Sequence, residues 1–475
     1  MNKFIESSLL MTTKNFAIGA LMAFAMIASV PAHAGGILTN TNQSIDFLRN
    51  PARDGAIGLD GVYSNPAGVV FLPEGLHIGI HWQYAHQSRT IISDNPVFAY
   101  GKKNNGTEKT FEGVANAPFI PSFQIAYNME HWSLQANLSV PGGGGSCEFS
   151  DGLGSFESKV GEIAQMLSAF GVTGYDMDGY MKGRQYYYGI QIGAACKVTP
   201  KLSLYGGLRM LYGDATYKAK ISNIQVKTAE GYSDFGSYLQ KITPVAQAMG
   251  YGDAIAPLQK YSDGVNLLCN QTGIGFAPII GIDYKTGRFN FAAKYEFRTQ
   301  MRMKNESTVN DASEIEAVNK FRDGETVNED TPALLAFGAQ WSPIDQIRIN
   351  VGYHHFFDKD VTWYNHSQDQ LRHGTNEFLF GAEWDTTERL TFSAGGQVTR
   401  YGLTDDYMND MSFVVNSYSI GFGFNYKVSK VVSVKAAYFQ TYYGNYERIN
   451  ALNPNVKDTF TRTNRVFGVG CELSL

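Results

Sequence analysis

The histidines are the side chains best suited to metal or acid–base chemistry, and their spacing argues against both. His354 and His355 are adjacent in a segment of alternating apolar and polar residues, so a strand would point them to opposite faces. His77 and His81 would share a face, but four strand residues separate them by about 13 Å, too far for one ion without further ligands. No Ser-His-carboxylate grouping can be assembled either. The sequence predicts no catalytic residue, no metal and no cofactor.

The elements that carry these residues are strands. From residue 76 to the C-terminus, apolar and polar residues alternate with period two, in a chain of 475 residues that is rich in Gly (50), Tyr (28) and Phe (30). An even number of antiparallel strands can close without a free edge in lipid. We predict an all-β, fourteen-stranded antiparallel transmembrane barrel, with strands at 76–85, 119–128, 131–140, 185–198, 201–213, 273–285, 288–303, 332–342, 346–357, 376–386, 389–401, 413–428, 431–444 and 459–475.

The gaps between these strands alternate between long and short. The short gaps have two or three residues, beginning with Met129-Glu130 and Thr199-Pro200. The long gaps run over 86–118, 141–184, 214–272, 304–331, 358–375, 402–412 and 445–458. Short turns at one end and long loops at the other are typical of outer-membrane barrels, whereas a soluble sandwich has no reason to keep all its long loops at one end.

Aromatic residues mark one predicted membrane edge. They stand on the apolar face just before five of the short turns, at Tyr127, Tyr284, Trp341, Trp384 and Tyr426. Amphipathic rings prefer the lipid–water interface, so this girdle places the short turns at the inner surface.

The N-terminal residues predict export. Lys3 and Lys14 precede an apolar run over 16–30, and Ala32-His33-Ala34 supplies small residues for cleavage. About 15 apolar residues are fewer than the roughly 20 of a spanning helix. We expect residues 1–34 to be a signal peptide removed near Ala34. The net charge of -5 gives no sign of nucleic-acid binding.

Residues 35–75, between the signal peptide and the first strand, lack sustained alternation. A short helix is predicted near Ser44–Ala56, followed by a Gly-rich stretch that closes on the turn signal Asn65-Pro66. A segment this apolar is not expected to stay unfolded in water, and a barrel of fourteen strands has an open lumen that it could occupy. We predict that it forms an N-terminal plug inside the barrel of residues 76–475.

This order of elements resembles the FadL/TodX family of outer-membrane transporters for long-chain fatty acids and aromatic hydrocarbons. The resemblance covers the mature chain, and its sharpest motif is Asn65-Pro66-Ala67, followed by Gly68, which matches the Asn-Pro-Ala of the family's plug. It implies a monomer in outer-membrane lipid that passes hydrophobic molecules by plug-gated passive diffusion, with gating at these residues.

The resemblance also implies a capture groove built by outer loops. Two loop segments, 156–170 and 237–249, carry apolar residues at helical spacing. The helices could pack on each other over the barrel mouth, or leave a groove between them, and both could hold. The candidate groove residues are Phe156, Val160, Ile163, Leu167, Phe170, Leu239, Ile242 and Val245.

A fatty acid would need a base in the lumen to orient its carboxylate. Strand parity points four basic residues inward: Arg209, Lys294, Arg298 and Arg302. It also points four glutamates inward, at Glu296, Glu377, Glu383 and Glu472. The alternative for each base is therefore a structural ion pair.

The third strand ends at Pro141-Gly142-Gly143, the best candidate for a lateral opening. Proline removes a ladder donor, glycine leaves no side chain to close a gap, and the family's wall kink also lies in its third strand. The alternative is a flexible start to a long loop. Cys147 and Cys269 fall at predicted outer-loop positions, so a disulfide between them is left open.

A general or small-solute porin is the competing function. It would share the barrel but should have a lumen open to ions and no Asn-Pro-Ala plug. An adhesin or surface enzyme would place its chemistry in the long loops, where apolar helices are predicted instead.

Overall fold

The computed structural model describes residues 44–309 and 316–475. The predicted signal peptide, and residues 35–43 of the predicted plug, lie outside the described residues. Among the described residues, no helix has the length and apolar character needed to cross a bilayer.

Within the described ranges, eighteen strand segments form one antiparallel sheet that closes on itself, because the last segment pairs with the first. They are β1 (Gly75–Asp94), β2 (Glu108–Asn128), β3 (Trp132–Phe149), β4 (Gly174–Lys197), β5 (Leu202–Thr228), β6 (Gly231–Asp234), β7 (Val265–Thr286), β8 (Phe289–Glu296), β9 (Arg302–Val309), β10 (Thr326–Asn328), β11 (Leu334–Ile344), β12 (Ile347–Phe356), β13 (Thr375–Asp385), β14 (Leu390–Arg400), β15 (Ser417–Lys427), β16 (Val432–Tyr443), β17 (Tyr446–Ile449) and β18 (Lys457–Ser474).

These segments make fourteen wall strands. Three wall strands are each interrupted once, and so comprise β8 with β9, β10 with β11, and β16 with β17. The short β6 only extends a hairpin with β5 at the long-loop end. The predicted closed antiparallel barrel of fourteen strands is therefore confirmed.

The apolar outer face follows from the alternation of the sequence. Along β15, Tyr418, Ile420 and Phe422 are 50–55% exposed, whereas Ser417 and Ser419 between them are buried. The five predicted girdle aromatics are all exposed on the outer surface, from 39% at Tyr426 to 57% at Trp384. Because the side chains that avoid water face outward, the outer face suits lipid.

Several strands run further than predicted at the long-loop end. The long loop expected at 86–118 is mostly β1 and β2, which pair in register up to Asp94 and Glu108. The outward face beyond the lipid meets water, so it is polar, and the apolar alternation that reveals a strand disappears there. Cys147 and Cys269, expected in loops, lie for the same reason on β3 and β7, where both are buried free thiols.

The described part of the chain has four α-helices, inside or above the barrel: α1 (Ile45–Arg49), α2 (Gly154–Met166), α3 (Phe235–Ala248) and α4 (Gly252–Ile255). α1 begins where the Ser44 hydroxyl accepts a hydrogen bond from the Asp46 amide at 3.0 Å. α3 begins at Asp234, which accepts from the Ser237 amide at 2.9 Å. Short 3₁₀ helices cover Leu59–Val62, Gly68–Phe71, Pro96–Tyr100, Leu167–Phe170, Ala256–Tyr261, Glu316–Phe321, Asp358–Asp360 and Tyr364–Gln370.

Candidate functional site

The barrel interior divides into two parts. We call the half near the short turns the lower lumen and the half near the long loops the upper lumen. Residues 44–72 contact inward-facing side chains of strands around the whole lower lumen, and most of them are buried. We call these residues the plug segment.

Asn65 fixes the plug segment to the wall. Its Nδ2 donates to Asp283 Oδ2 on β7 at 2.7 Å and to the Ala56 carbonyl at 3.2 Å. Its Oδ1 accepts from the Gly68 amide at 3.2 Å. A Cβ at Gly68 would lie 2.5 Å from Asn65 Nδ2 and 2.9 Å from Asp283 Oδ2, so only glycine fits beside this contact.

The carbonyls between Asn65 and Gly68 are also held. The Pro66 carbonyl accepts from Gln135 Nε2 on β3 at 2.8 Å. The Ala67 carbonyl accepts from Ser203 Oγ on β5 at 2.6 Å. Backbone acceptors buried away from water need such partners, and here two wall strands supply them to one turn.

Buried ion pairs attach the rest of the plug segment to the opposite wall. Arg53 pairs with Asp60 at 2.7 Å and with Glu383 on β13 at 2.9 Å. Arg49 reaches the same glutamate at 3.0 Å. None of these four side chains is more than 7% exposed, so each charge depends on its partners for stabilisation.

A second group of charges closes the lower lumen beside α1. Lys435 on β16 contacts both Asp46 and Glu472 at 2.5 Å. Asp46 is also paired with Arg49 at 2.6 Å. The two groups are joined through Arg49, so one network links the plug segment to β13, β16 and β18.

Two of the predicted carboxylate-binding residues lie inside and share a single glutamate. Arg209 Nη1 is 2.6 Å from Glu296, and Lys294 Nζ is 2.7 Å from it. The Lys294 ammonium also donates to the Tyr63 carbonyl at 2.8 Å, and both cations lie within 5.1 Å of the Tyr63 ring centroid. With all three groups ionised, this cluster carries one unbalanced positive charge.

The expected inward orientation of Arg302 is wrong. Arg302 is exposed on the outer face, whereas its neighbours Met301 and Met303 are fully buried. The strand is interrupted between Glu296 and Arg302, and the irregular residues shift the parity on which the prediction depended. Arg298 lies at the edge of this break, half-buried, and donates to the Asp360 carbonyl at 2.7 Å.

A narrow cavity of about 30 Å³ adjoins the Arg209 cluster. Its lining combines the charged top of the plug segment with apolar side chains: Phe47, Pro51, Arg53, Asp54, Tyr63, Ser64, Lys294, Glu296, Leu334, His354, Phe356 and Glu377.

The upper lumen is mostly apolar, although it also holds a buried ion pair between Lys320 and Glu329. One large cluster joins inward-facing strand residues to side chains that the long loops fold into the barrel mouth. Its bulkiest members are Phe98, Phe111, Phe149, Tyr187, Tyr217, Phe321, Trp363, Tyr401, Tyr407, Phe413 and Phe460.

The wall is interrupted where the two halves of the lumen meet. The β2–β3 ladder runs up to Phe123–Leu138 and resumes only at Asn116–Ser146. The predicted opening residues Pro141, Gly142 and Gly143 lie in this interval, and Gly143 has φ +121°, a conformation that other residues rarely adopt. The Pro141–Gly143 prediction thus coincides with a break in strand pairing.

The predicted capture residues mostly lie in one packed cluster. α2 and α3 bury Val160, Ile163, Leu167, Leu239 and Ile242 against each other and against the ends of β4 and β5. Phe156 packs against the upper-lumen cluster, Phe170 is half-buried, and Val245 is 54% exposed. Of the two alternatives, the structure favours helices that pack together, because five of the eight side chains are inaccessible unless the helices separate.

The fold and the lumen define a transmembrane β-barrel that carries a segment of its own chain inside. Three solved structures share this fold. A Pseudomonas aeruginosa FadL homologue matches with a TM-score of 0.65 and 12% identity, over 92% of this chain and 99% of that chain. The P. putida toluene transporter TodX has a TM-score of 0.57 and 13% identity, over 88% and 94% of the two chains.

The Ralstonia pickettii toluene transporter TbuX has a TM-score of 0.53 and 14% identity, over 92% of this chain and 99% of that chain. No protein-family model matches the chain, and no curated protein does. The resemblance predicted from the sequence is confirmed at the level of the fold.

Proposed function

We propose that this protein belongs with the FadL/TodX transporters and passes hydrophobic small molecules, such as long-chain fatty acids, across the bacterial outer membrane. The observation that carries the proposal is the division of the lumen. The mostly apolar upper lumen suits a hydrophobic solute. The charged lower lumen, which the plug segment fills, opposes free diffusion of water and ions. Export through a signal peptide cleaved near Ala34, and a monomeric state, belong to the same proposal.

The Arg209–Lys294–Glu296 cluster is the proposed site for a ligand carboxylate. It combines burial, a surplus positive charge and a place on the edge of the cavity, which together favour an anionic group attached to an apolar chain. A general porin is disfavoured, because the plug segment fills the lower lumen that such a pore would leave open.

The proposed exit is sideways through the β2–β3 interruption. On one edge, Ala117 and Ile120 pack against the apolar side chains of the plug segment. On the other edge, Gly142 is paired with Tyr187 of the upper-lumen cluster. The interruption therefore borders both halves of the interior, where a solute stopped by the plug segment would leave for the lipid.

Uptake of a labelled long-chain fatty acid by cells with and without the protein tests the function. We expect faster uptake with the protein, and equal rates would contradict the proposal. The exit is tested by a disulfide across the interruption, in the variant Ser122→Cys/Ser139→Cys. Oxidation should slow uptake and reduction should restore it.

The matched control for that disulfide is Gln124→Cys/Asn137→Cys, which joins a pair already in register in the intact ladder. It should leave uptake unchanged in both redox states. If both disulfides form and neither slows uptake, the sideways exit is wrong, although the transport function could still stand.

A further inference from the structure

Basic side chains form a column on the outer wall of the barrel at the long-loop end, directed away from the membrane. Its base is marked by the stacked rings of Tyr186, Tyr188 and Tyr212, whose centroids are 6.0 and 6.5 Å apart. Tyrosines on the lipid face prefer the interface, so these three mark the upper edge of the membrane, opposite the girdle at the short turns.

The basic residues lie above or beside these rings, on the outward face of β4, β5 and β9: Lys182, Arg184, Lys218, Lys220, Arg302 and Lys304. Lys220 is eight residues beyond Tyr212 on β5, which is about 26 Å along the strand. At the usual tilt of a barrel strand, this corresponds to a rise of roughly 20 Å above the membrane edge.

Among the described residues, part of this charge lacks a close ion-pair partner, although the carboxylates of Glu148 and Asp178 also attract Lys218 and Lys220. Arg184 pairs with Asp214 at 2.8 Å and Lys182 with Glu148 at 2.9 Å. Lys218, Lys220 and Lys304 are exposed, and within residues 44–309 and 316–475 none of them forms an ion pair.

The register makes the imbalance worse, because Lys182 stands directly opposite Lys218. Like charges facing each other across a strand pair are destabilising, so a bound anion would relieve the repulsion.

A cleft lies at the top of the column. It is open to solvent, has a volume of about 430 Å³ and is lined by Asp178, Gly179, Tyr180, Lys218, Lys220, Ser222 and Asn223. Its one carboxylate, Asp178, is already held by Lys103 at 2.6 Å. The Asn223 amide also donates to Asp178, at 2.5 Å. The cleft therefore offers two ammonium groups and the hydroxyls of Tyr180 and Ser222, which are donors that suit phosphate and sugar oxygens.

We propose that this face binds a phosphorylated glycolipid of the outer leaflet, with phosphates on the column and sugars in the cleft. The height of the column selects this class of lipid. The headgroup region of a phospholipid leaflet is only about 6 Å deep, so it reaches the Tyr212 level but not Lys218 or Lys220. The inference rests on the proposed membrane location and is independent of the transported cargo.

Binding of purified lipopolysaccharide to the full-length protein in detergent tests the proposal. The variant Lys218→Gln/Lys220→Gln/Lys304→Gln should bind at least about tenfold more weakly at low salt, since each surface lysine near an anionic headgroup contributes on the order of 1 kcal/mol. The control Lys201→Gln/Lys285→Gln/Lys430→Gln removes three exposed lysines at the short turns and should bind like the wild type.

The second arm varies the ligand. Enzymatically dephosphorylated lipopolysaccharide should bind about as weakly to the wild type as the intact lipid does to the triple variant. Equal affinity of the wild type and the column variant would overturn the proposal, as would full binding of the dephosphorylated lipid. Equal competition by phosphatidylglycerol, or displacement by inorganic phosphate alone at millimolar concentration, would assign the site to another anion and also overturn it.

Discussion

The lower and upper halves of the lumen are closed by different forces. The lower lumen is held by short, directional contacts, such as Asn65 to Asp283 and Arg53 to Glu383, between buried partners far apart in sequence. The upper lumen is held mainly by non-directional apolar contacts among strand and loop side chains. Directional contacts fix one arrangement, whereas apolar contacts can be exchanged for those of an apolar solute at little cost.

This difference assigns the two halves separate tasks. The lower lumen excludes water and ions, because opening it would leave buried charges without their ion-pair partners. The upper lumen can admit a hydrophobic molecule that replaces the contacts it disturbs. The interrupted β2–β3 ladder lies between the two halves. A solute stopped there by the plug segment would leave sideways through the barrel wall.

The largest effect is expected from Arg53→Met, which leaves Asp60 and Glu383 short of a buried partner. Such losses cost about 3–5 kcal/mol. We expect a lower thermal unfolding temperature and a raised ion current in a planar bilayer. The control Arg288→Met removes an exposed pair with Asp345, which should cost less than about 1 kcal/mol. Similar losses in both variants would show that the lower network does not hold the plug segment.

A smaller effect is expected from Gly68→Ala, which pushes a methyl group between Asn65 and Asp283. Loss of that buried contact should cost roughly 1–3 kcal/mol and raise ion leakage. Gly206→Ala on β5 is the matched control, because a Cβ there meets nothing within 4 Å. Unchanged leakage in Gly68→Ala would argue against a gating role for the Asn65–Gly68 turn.

Lys294→Gln should weaken the binding of a fatty acid without unfolding the lower lumen. It leaves the Arg209–Glu296 pair intact and removes the surplus charge, together with the ammonium contacts to Glu296 and the Tyr63 carbonyl. We expect about tenfold weaker binding of the fatty acid, equivalent to one charge-assisted contact, and unchanged binding of the alcohol of equal chain length. An equal loss for both ligands would mean that Lys294 acts on packing and not on the carboxylate.

The smallest effect concerns the packing of one outer loop. Burial raises the pKa of Asp410 to about 6, although its carboxylate accepts from the Ser155 amide at 2.7 Å. Because the folded form favours the protonated acid, its contribution to stability is present below the ordinary pKa and is lost as pH rises through about 6.

Hydrogen exchange of the loop around Asp410, corrected for intrinsic rates, should therefore show more frequent opening at about pH 7.5 than at about pH 5. Asp410→Asn should remove this dependence. A dependence that persists in the variant would place the titrating group elsewhere.

The sequence was most informative where the barrel meets lipid. Alternation requires both an apolar and a polar environment, so it located every wall strand and the five aromatics at the short turns. It failed beyond the bilayer, where the outward face of β1 and β2 meets water and is polar. It also failed after the interruption at Glu296, where counting alternate residues along the strand no longer predicts which way Arg302 points.

The lumen was only partly predictable. Asn65 was singled out by its place before the first strand, and Glu383 by strand parity, but nothing local connects Arg53 to Glu383 across 330 residues. Such pairs are set by the closed barrel and not by spacing. The helical periodicity of 156–170 and 237–249 predicted α2 and α3, yet periodicity alone could not tell whether their apolar faces meet or stay apart.

The most direct test of the account is the ion current through the intact protein in a planar lipid bilayer. If the plug segment closes the lower lumen, we expect no large steady current, together with a current that appears in the Arg53→Met variant. A large steady current through the wild-type protein would contradict the plugged barrel and favour a general porin.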